Sequence, residues 1–286
     1  MTTPEIDAHF DEPTNTVSYL VVDPATLRAA VIDPVLDFDL ASGEADVRSA
    51  EAILAAARER GAAIDWVLET HAHADHLSAA PFIKAETGAK IGIGAHIRDV
   101  QKIFRPIFAA DDIKTDGSDF DRLFEDGERF GIGSLEVEVL HVPGHTPADV
   151  AYRIGDAVFV GDTLFMPDGG SARADFPGGD AGQLYDSIQK VLSLPDATRL
   201  FMCHDYGPNG REIRWETTVG DERAHNIHVR TGVTREEFVA MRTARDKTLD
   251  MPRLIIPSLQ VNMRGGDLPP ADEAGKRFLK VPINGL

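Results

Sequence analysis

One cysteine, Cys203, stands in 286 residues, so no internal disulfide and no thiolate-rich metal site is possible. Cysteine poverty of this kind fits a reducing compartment. Basic residues are also scarce: 29 Lys and Arg face 47 Asp and Glu, a formal charge of −18. A surface that acidic repels phosphate backbones and offers no polybasic patch to a membrane, so neither nucleic acid nor membrane is an expected partner. No apolar run reaches the roughly eighteen residues that a transmembrane helix needs. The start of the chain has no basic region followed by an apolar one, and its first twenty residues carry Glu5, Asp7, Asp11 and Glu12 but no Arg or Lys. Secretory and organellar leaders are therefore not expected, and a cytoplasmic location is. Neither a Gly-x-Gly-x-x-Gly nor a P-loop pattern occurs, so nucleotide cofactors are not indicated.

What remains is an ordinary globular composition, 43% hydrophobic and 27% charged. Thr16 to Val22 and Ala29 to Ile32 are β-branched runs around Asp23-Pro24 and predict a hairpin. Asp46 to Arg60 has helical spacing closed by Gly61. Ile64 to Thr70 predicts a strand, Leu77 to Glu86 a helix stopped by Gly88, and Leu135 to Val142 an alternating strand. A second hairpin is expected at Val150 to Ile154 and Ala157 to Val160. Met166 to Gly182, with five glycines and two prolines, predicts a long loop. Further helices are expected at Gln183 to Leu194, Asp221 to Val229 and Thr234 to Leu249, with a strand at Arg199 to Met202. Alternating strands and helices imply an α/β layer. A catalytic domain over 1–252 is expected, followed by an irregular, proline-rich extension over 253–286 that packs on it.

Polar clusters sit where the strands stop: His71, His73, Asp75 and His76, then His145, Asp162 and His204. Strand ends hold such groups rigidly while loops approach a ligand. Imidazole and carboxylate without thiolate suit zinc, iron(II) or manganese. Three histidines and an aspartate within six residues point to a metal site. His9, His96, His141, His225 and His228, each isolated, read as surface or hydrogen-bonded core residues, and Cys203 as a buried core residue.

Thr70-His-Ala-His-Ala-Asp-His76, Pro143-Gly-His-Thr146, Gly161-Asp-Thr-Leu-Phe165 and the histidine ending a later strand resemble the metallo-β-lactamase superfamily, over about Asn15 to Tyr206. The resemblance implies an αββα sandwich of two mixed sheets with helices outside and a metal site at one edge. Ser171-Ala-Arg173-Ala-Asp175-Phe176, His204-Asp205-Tyr206 and the stretch Thr217 to Asn226 are similar to the persulfide dioxygenase branch. The chain departs from that branch's shorter members by lacking Cys-Gly-Arg at Ser171 to Arg173, by an insert from Ala95 to Phe124, and by its tail.

By that resemblance one iron(II) per chain is held by His71, His145 and Asp162, and glutathione persulfide and dioxygen are the substrates. His73, Asp75, His76 and His204 then orient ligands and waters. The alternative is a dinuclear zinc hydrolase of the glyoxalase II or lactonase type, with two Zn(II) shared among those seven residues and a bridging Asp162. The spacing is compatible with both. Arg173, Asp175, Asp205 and Tyr206 are the candidate catalytic residues, with Arg173 positioning Asp175, Asp205 or substrate and Tyr206 lining the persulfide pocket. Arg211, Arg214 and Arg223 are candidates for the carboxylates of glutathione. A homodimer follows from the habit of the superfamily.

Overall fold

The computed structural model describes residues 3–285. The chain opens with β1 (Glu5–Asp11), β2 (Thr16–Val22), β3 (Arg28–Ile32), β4 (Val35–Asp39) and β5 (Glu44–Asp46), followed by α1 (Arg48–Glu59). Next come β6 (Ala63–Leu68), β7 (Leu77–Ser78), α2 (Ala80–Thr87), β8 (Lys90–Gly94), α3 (Ile97–Ile107) and β9 (Arg122–Phe124). The second half runs through β10 (Arg129–Ile132), β11 (Leu135–His141), β12 (Val150–Ile154), β13 (Ala157–Phe159), α4 (Ala181–Leu192), β14 (Arg199–Phe201) and β15 (Glu216–Thr218). It ends with α5 (Val219–His225), α6 (Arg235–Asp246) and α7 (Ile255–Asn262).

Two six-stranded mixed sheets result, in the orders β1-β2-β3-β6-β8-β9 and β10-β11-β12-β13-β14-β15. The period of two along a strand assigns each side chain to a layer. On β2, Val17, Tyr19 and Val21 join Val137, Val139, Tyr152 and Phe159 of the other sheet in a core between the sheets. Leu20 and Val22 point the other way, into a core with Ile53 and Leu54 of α1, Ile83 of α2 and Leu259 of α7. Leu140, Val158 and Leu200 on the outer face of the second sheet meet Leu184 and Ile188 of α4 and Phe238 of α6. The layers are therefore helix, sheet, sheet, helix, as the motifs implied. Among the described residues no helix is long and apolar enough to cross a membrane.

The two hairpins, β2 with β3 and β12 with β13, pair as expected. The helix predicted from Leu77 begins instead at Ala80, because Leu77–Ser78 is a strand paired with β4 and Pro81 takes the first helical turn. The helix predicted over Asp221 to Val229 ends at His225, where the Asn226 side chain accepts from the backbone N–H groups of His228 and Val229. The largest correction lies in the tail. It is not irregular throughout: Ile255–Asn262 is a helix, and Ile255, Leu259 and Met263 are part of the first sheet's outer core.

Candidate metal centre

The five strands β3, β6, β11, β13 and β14 release the chain at one edge of the sandwich, and the candidate residues follow them. Thr70 and His71 leave β6, His145 leaves β11, Asp162 lies in the turn after β13, and His204 follows β14. His71, His73, His76, His145, Asp162 and His204 are all buried. Gly144 explains the Pro-Gly-His turn: at φ +142, a Cβ there would lie 2.3 Å from the backbone of Leu184, so the turn packs directly on α4. The turn is also tied by Asp149, which accepts from Thr146 N at 2.7 Å; burial pushes its carboxyl up to about 6.

Hydrogen bonds fix which nitrogen each ligand offers. His145 Nδ1 lies 2.8 Å from the carbonyl oxygen of Arg173, which only accepts, so Nδ1 carries the proton. Thr70 Oγ1 donates to Asp33 Oδ2 at 2.8 Å and therefore accepts from His71 Nδ1 at 3.0 Å. Both rings consequently turn an unprotonated Nε2 toward Asp162, whose Oδ2 lies 3.9 Å from His71 Nε2 and 3.6 Å from His145 Nε2. Two bonds of about 2 Å to one ion span such separations. Burial and the neighbouring His73 and His145 hold His71 well below its usual pKa, which keeps it neutral for ligation.

His71 Nε2, His73 Nδ1, His76 Nε2 and Asp162 Oδ1 are all buried without any hydrogen-bond partner. Buried polar atoms are rarely left so, and they fall in two groups of possible ligands, His71, His145 and Asp162, and His73, Asp75 and His76, which bound cations would satisfy. The residues fit a metal ion.

The remaining members of the motif divide. His76 Nδ1 is 2.9 Å from Asp75 Oδ2, and His204 Nε2 is 3.5 Å from Asp75 Oδ2 and 3.4 Å from Asp162 Oδ1. Burial works against charge on His204, but the Asp75 and Asp162 carboxylates outweigh it and hold its pKa well above the usual value. His204 Nδ1 donates to the carbonyl of Asn15 at 3.1 Å. His73 Nε2 lies 3.0 Å from Asp33 Oδ1 and 3.2 Å from Glu69 Oε2, while its Nδ1 is buried without a hydrogen-bond partner beside His71 and His76. Burial opposes its charge, yet Asp33 keeps its pKa well above the usual range.

A cavity of about 420 Å³ opens over Asp75, His145, Asp162 and His204. Tyr206 stands at its mouth, 58% exposed, with its ring 6.0 Å from that of His204 and nearly parallel to it. Arg173 lines the wall, donates to both oxygens of Asp175 at 2.6 and 2.9 Å and to the carbonyl of Asp250 at 2.7 Å, and covers the Phe176 ring at 4.7 Å. The pairing with Asp175 is thus present. Asp205 is not at the cavity; it is buried against Arg211 at 2.7 Å and the backbone N–H of Arg214 at 2.6 Å, where it shapes the chain after His204.

Arg211 is spent on Asp205 and Asp168, and Arg223 pairs with Asp196, so neither is a free cation. The cations that do line the cavity without an ion-pair partner among the described residues are Arg245 and Arg253. Sequence reasoning also missed Asp33, although an acid directly after a strand, on the same edge as the histidines, was a usable signal. His228 is the satisfied core histidine expected of it, accepting from Ser171 N at 3.0 Å.

A family model described as the metallo-beta-lactamase superfamily matches residues 11–204. A probable metallo-hydrolase of Burkholderia pseudomallei is 52% identical over 292 residues, covering 98% of this chain and 99% of that protein. A beta-lactamase hydrolase-like protein of Agrobacterium fabrum is 54% identical over 283 residues; the chain spans 65% of its length. The mitochondrial persulfide dioxygenase ETHE1 of Bos taurus is 29% identical over 261 residues, covering 90% of this chain and 87% of that one. Among solved structures, ETHE1 from Myxococcus xanthus superposes with a TM-score of 0.74 at 31% identity, over 92% of this chain and all of that one. Fold, strand-end ligands and relatives agree, and the chain belongs to the metallo-beta-lactamase superfamily.

Proposed function

We propose that the chain is a persulfide dioxygenase that oxidises glutathione persulfide with dioxygen to sulfite and glutathione at a single iron(II). The grouping of the ligand atoms carries this reading: those of His71, His145 and Asp162 all lie within 4.8 Å of one another, a set to which His73 does not belong. Two histidines and one carboxylate with open positions suit non-haem iron(II) oxygenation. Iron(II), when bound, would supply those open positions and the redox capacity. The likeness to the Bos taurus persulfide dioxygenase and to the Myxococcus xanthus structure supports the same reading.

The reaction consumes one dioxygen and one water per persulfide. The outer sulfur is oxidised to sulfite, the S–S bond breaks, the inner sulfur leaves as the thiol, and dioxygen takes up the four electrons. The residues of the chain supply the setting. Arg173 and Asp175 brace the cavity wall through the carbonyl that orients His145. Tyr206 covers the entrance, and Arg245 and Arg253 offer two guanidinium groups to the two carboxylates of glutathione.

Asp75 and the unpartnered Nε2 of His76 favour a second reading, a dinuclear zinc hydrolase, and so do the hydrolase names of the more similar relatives. Oxygen uptake separates the two. Protein loaded with iron(II) should consume dioxygen when given glutathione persulfide, release sulfite with it, and carry one iron per chain. Two zinc ions per chain, with hydrolysis of S-lactoylglutathione under anaerobic conditions and no oxygen uptake, would replace the dioxygenase reading.

A further inference from the structure

The segment from Ala95 to Phe124 and the tail from Arg253 meet each other behind the histidine loop. Gln101 of α3 donates from Nε2 to the carbonyl of Met263 at 2.9 Å and to Asp119 at 2.8 Å. Arg264 pairs with Asp112 of the insert at 2.7 and 2.8 Å. At Gly266, φ +92, a Cβ would come within 3.0 Å of the carbonyl oxygen of Ser78, so the tail passes the loop backbone to backbone.

Asn262, at the end of α7, lies between these contacts. Its buried amide is fully used on one stretch of chain. Nδ2 donates to the carbonyls of His73 and His76, each at 2.8 Å, and Oδ1 accepts from the N–H of Ser78 at 2.9 Å. These are the main-chain groups of the loop that carries His73, Asp75 and His76. A peptide plane fixes the direction of the Cα–Cβ bonds beside it. Holding three peptide groups of the loop therefore restrains where its side chains point, including the direction of the His73 ring.

We infer that Asn262 is a positioning residue for the metal centre: a clamp from the C-terminal helix, itself braced by the insert, that holds the metal-ligand loop in its binding form. The clamp touches no ligand atom and acts through the loop backbone. It rests on the presence of a metal site and not on the identity of the metal or the reaction. Outer partners that orient metal ligands typically change affinity by about 10–100-fold when removed.

The test is metal release from folded protein. Wild type and Asn262→Ala, each loaded anaerobically with iron(II), are mixed with a chromogenic chelator, and the same is done with zinc(II). The clamp predicts release at least about tenfold faster from the variant, with wild-type circular dichroism. Asn262→Asp keeps the size but presents oxygen to two carbonyls, and should release metal at least as fast. A purely structural role would lower the unfolding midpoint of metal-free protein and leave release from the folded state unchanged, and that result overturns the clamp. Should Asn262→Ala not fold, Gln101→Ala loosens the brace one residue along, and an unchanged release rate there overturns it as well. A wild-type protein found with two zinc ions would defeat the dioxygenase reading, yet the zinc(II) release comparison would still decide the clamp.

Discussion

His145 donates from Nδ1 to the carbonyl oxygen of Arg173 at 2.8 Å, so a candidate metal ligand is oriented by the loop whose side chain lines the substrate cavity. The bond uses the backbone of Arg173 and leaves its guanidinium to Asp175, Asp250 and Phe176. Arg173→Ala should keep iron near one per chain, because the carbonyl remains. It should reduce persulfide turnover, since the cavity wall and Asp175 lose their anchor. Misplacing a positioned group often costs on the order of 100-fold in rate. Iron content measured beside sulfite formation checks both halves.

His73 separates the one-metal from the two-metal arrangement. Asp33 and Glu69 are buried and face its ring, so His73→Ala leaves two carboxylates without their cation. Breaking a buried pair by removing one partner costs about 3–5 kcal/mol. Urea unfolding of the metal-free variant should show a loss of that size. In the one-metal arrangement, whose ligands are His71, His145 and Asp162, iron bound to the folded fraction should stay near wild type. Loss of iron with unchanged stability would place His73 on the metal.

The sequence made the candidate ligands legible because they follow strands with clear period-two patterns, and a polar residue directly after such a strand falls at the sheet edge. Asp33 is equally placed, directly after β3, but a single aspartate before a proline carries no motif of its own. The tail helix α7 was hidden for a physical reason. From Ile255 to Asn262 nearly every side chain is buried, so the amphipathic alternation that marks a surface helix is missing. Pro257 lies in its first turn, where a proline is tolerated in a helix but also fits an irregular, proline-rich stretch. Asn262 left no local trace at all, since its partners lie 184 to 189 residues away. Arg245 and Arg253 belong to no motif, and only the packing of α6 and the tail around the cavity brings them together.

Glu222 gives a pH signature independent of the metal. Its carboxyl is buried, accepts from Asn226 Nδ2 at 2.6 Å, and is pushed by burial up to about 8. Asn226 in turn donates to the carbonyl of Gly170, so this pair supports the loop that leads to Arg173. Between the unfolded value near 4.5 and about 8, the native state holds a proton that the unfolded chain has lost. Native protein binding more protons means that stability falls as pH rises through that window. Glu222→Gln keeps an acceptor for Asn226 and removes the titration. The stability of wild type relative to this variant should fall by up to roughly 1.4 kcal/mol per pH unit between pH 5 and 8. Parallel stability curves for the two proteins over that range would show that Glu222 is ionised in the native state.

Arg245 and Arg253 carry the prediction about substrate. The chain bears −18, and most arginines near the site are committed: Arg173 to Asp175, Arg211 to Asp205 and Asp168, Arg242 to Asp246. Two exposed and uncommitted guanidiniums at the rim of the cavity over the histidines are therefore the groups available to an anionic substrate. They are not among the candidate ligands, and they are assigned to the part of the substrate that does not react. Interactions of that kind stabilise bound substrate and transition state alike, so they act on KM and leave kcat unchanged. Each charged contact of an exposed pair is worth about 1 kcal/mol or less. Arg245→Ala combined with Arg253→Ala should therefore raise KM for glutathione persulfide by roughly tenfold, with kcat and iron content near wild type. A persulfide lacking the carboxylates should show no such difference between the two proteins. Rising salt should weaken binding to wild type more than to the double variant, because screening acts on the contacts that the variant no longer has. An unchanged KM in the double variant, at full iron occupancy, would mean that these two arginines do not meet the substrate.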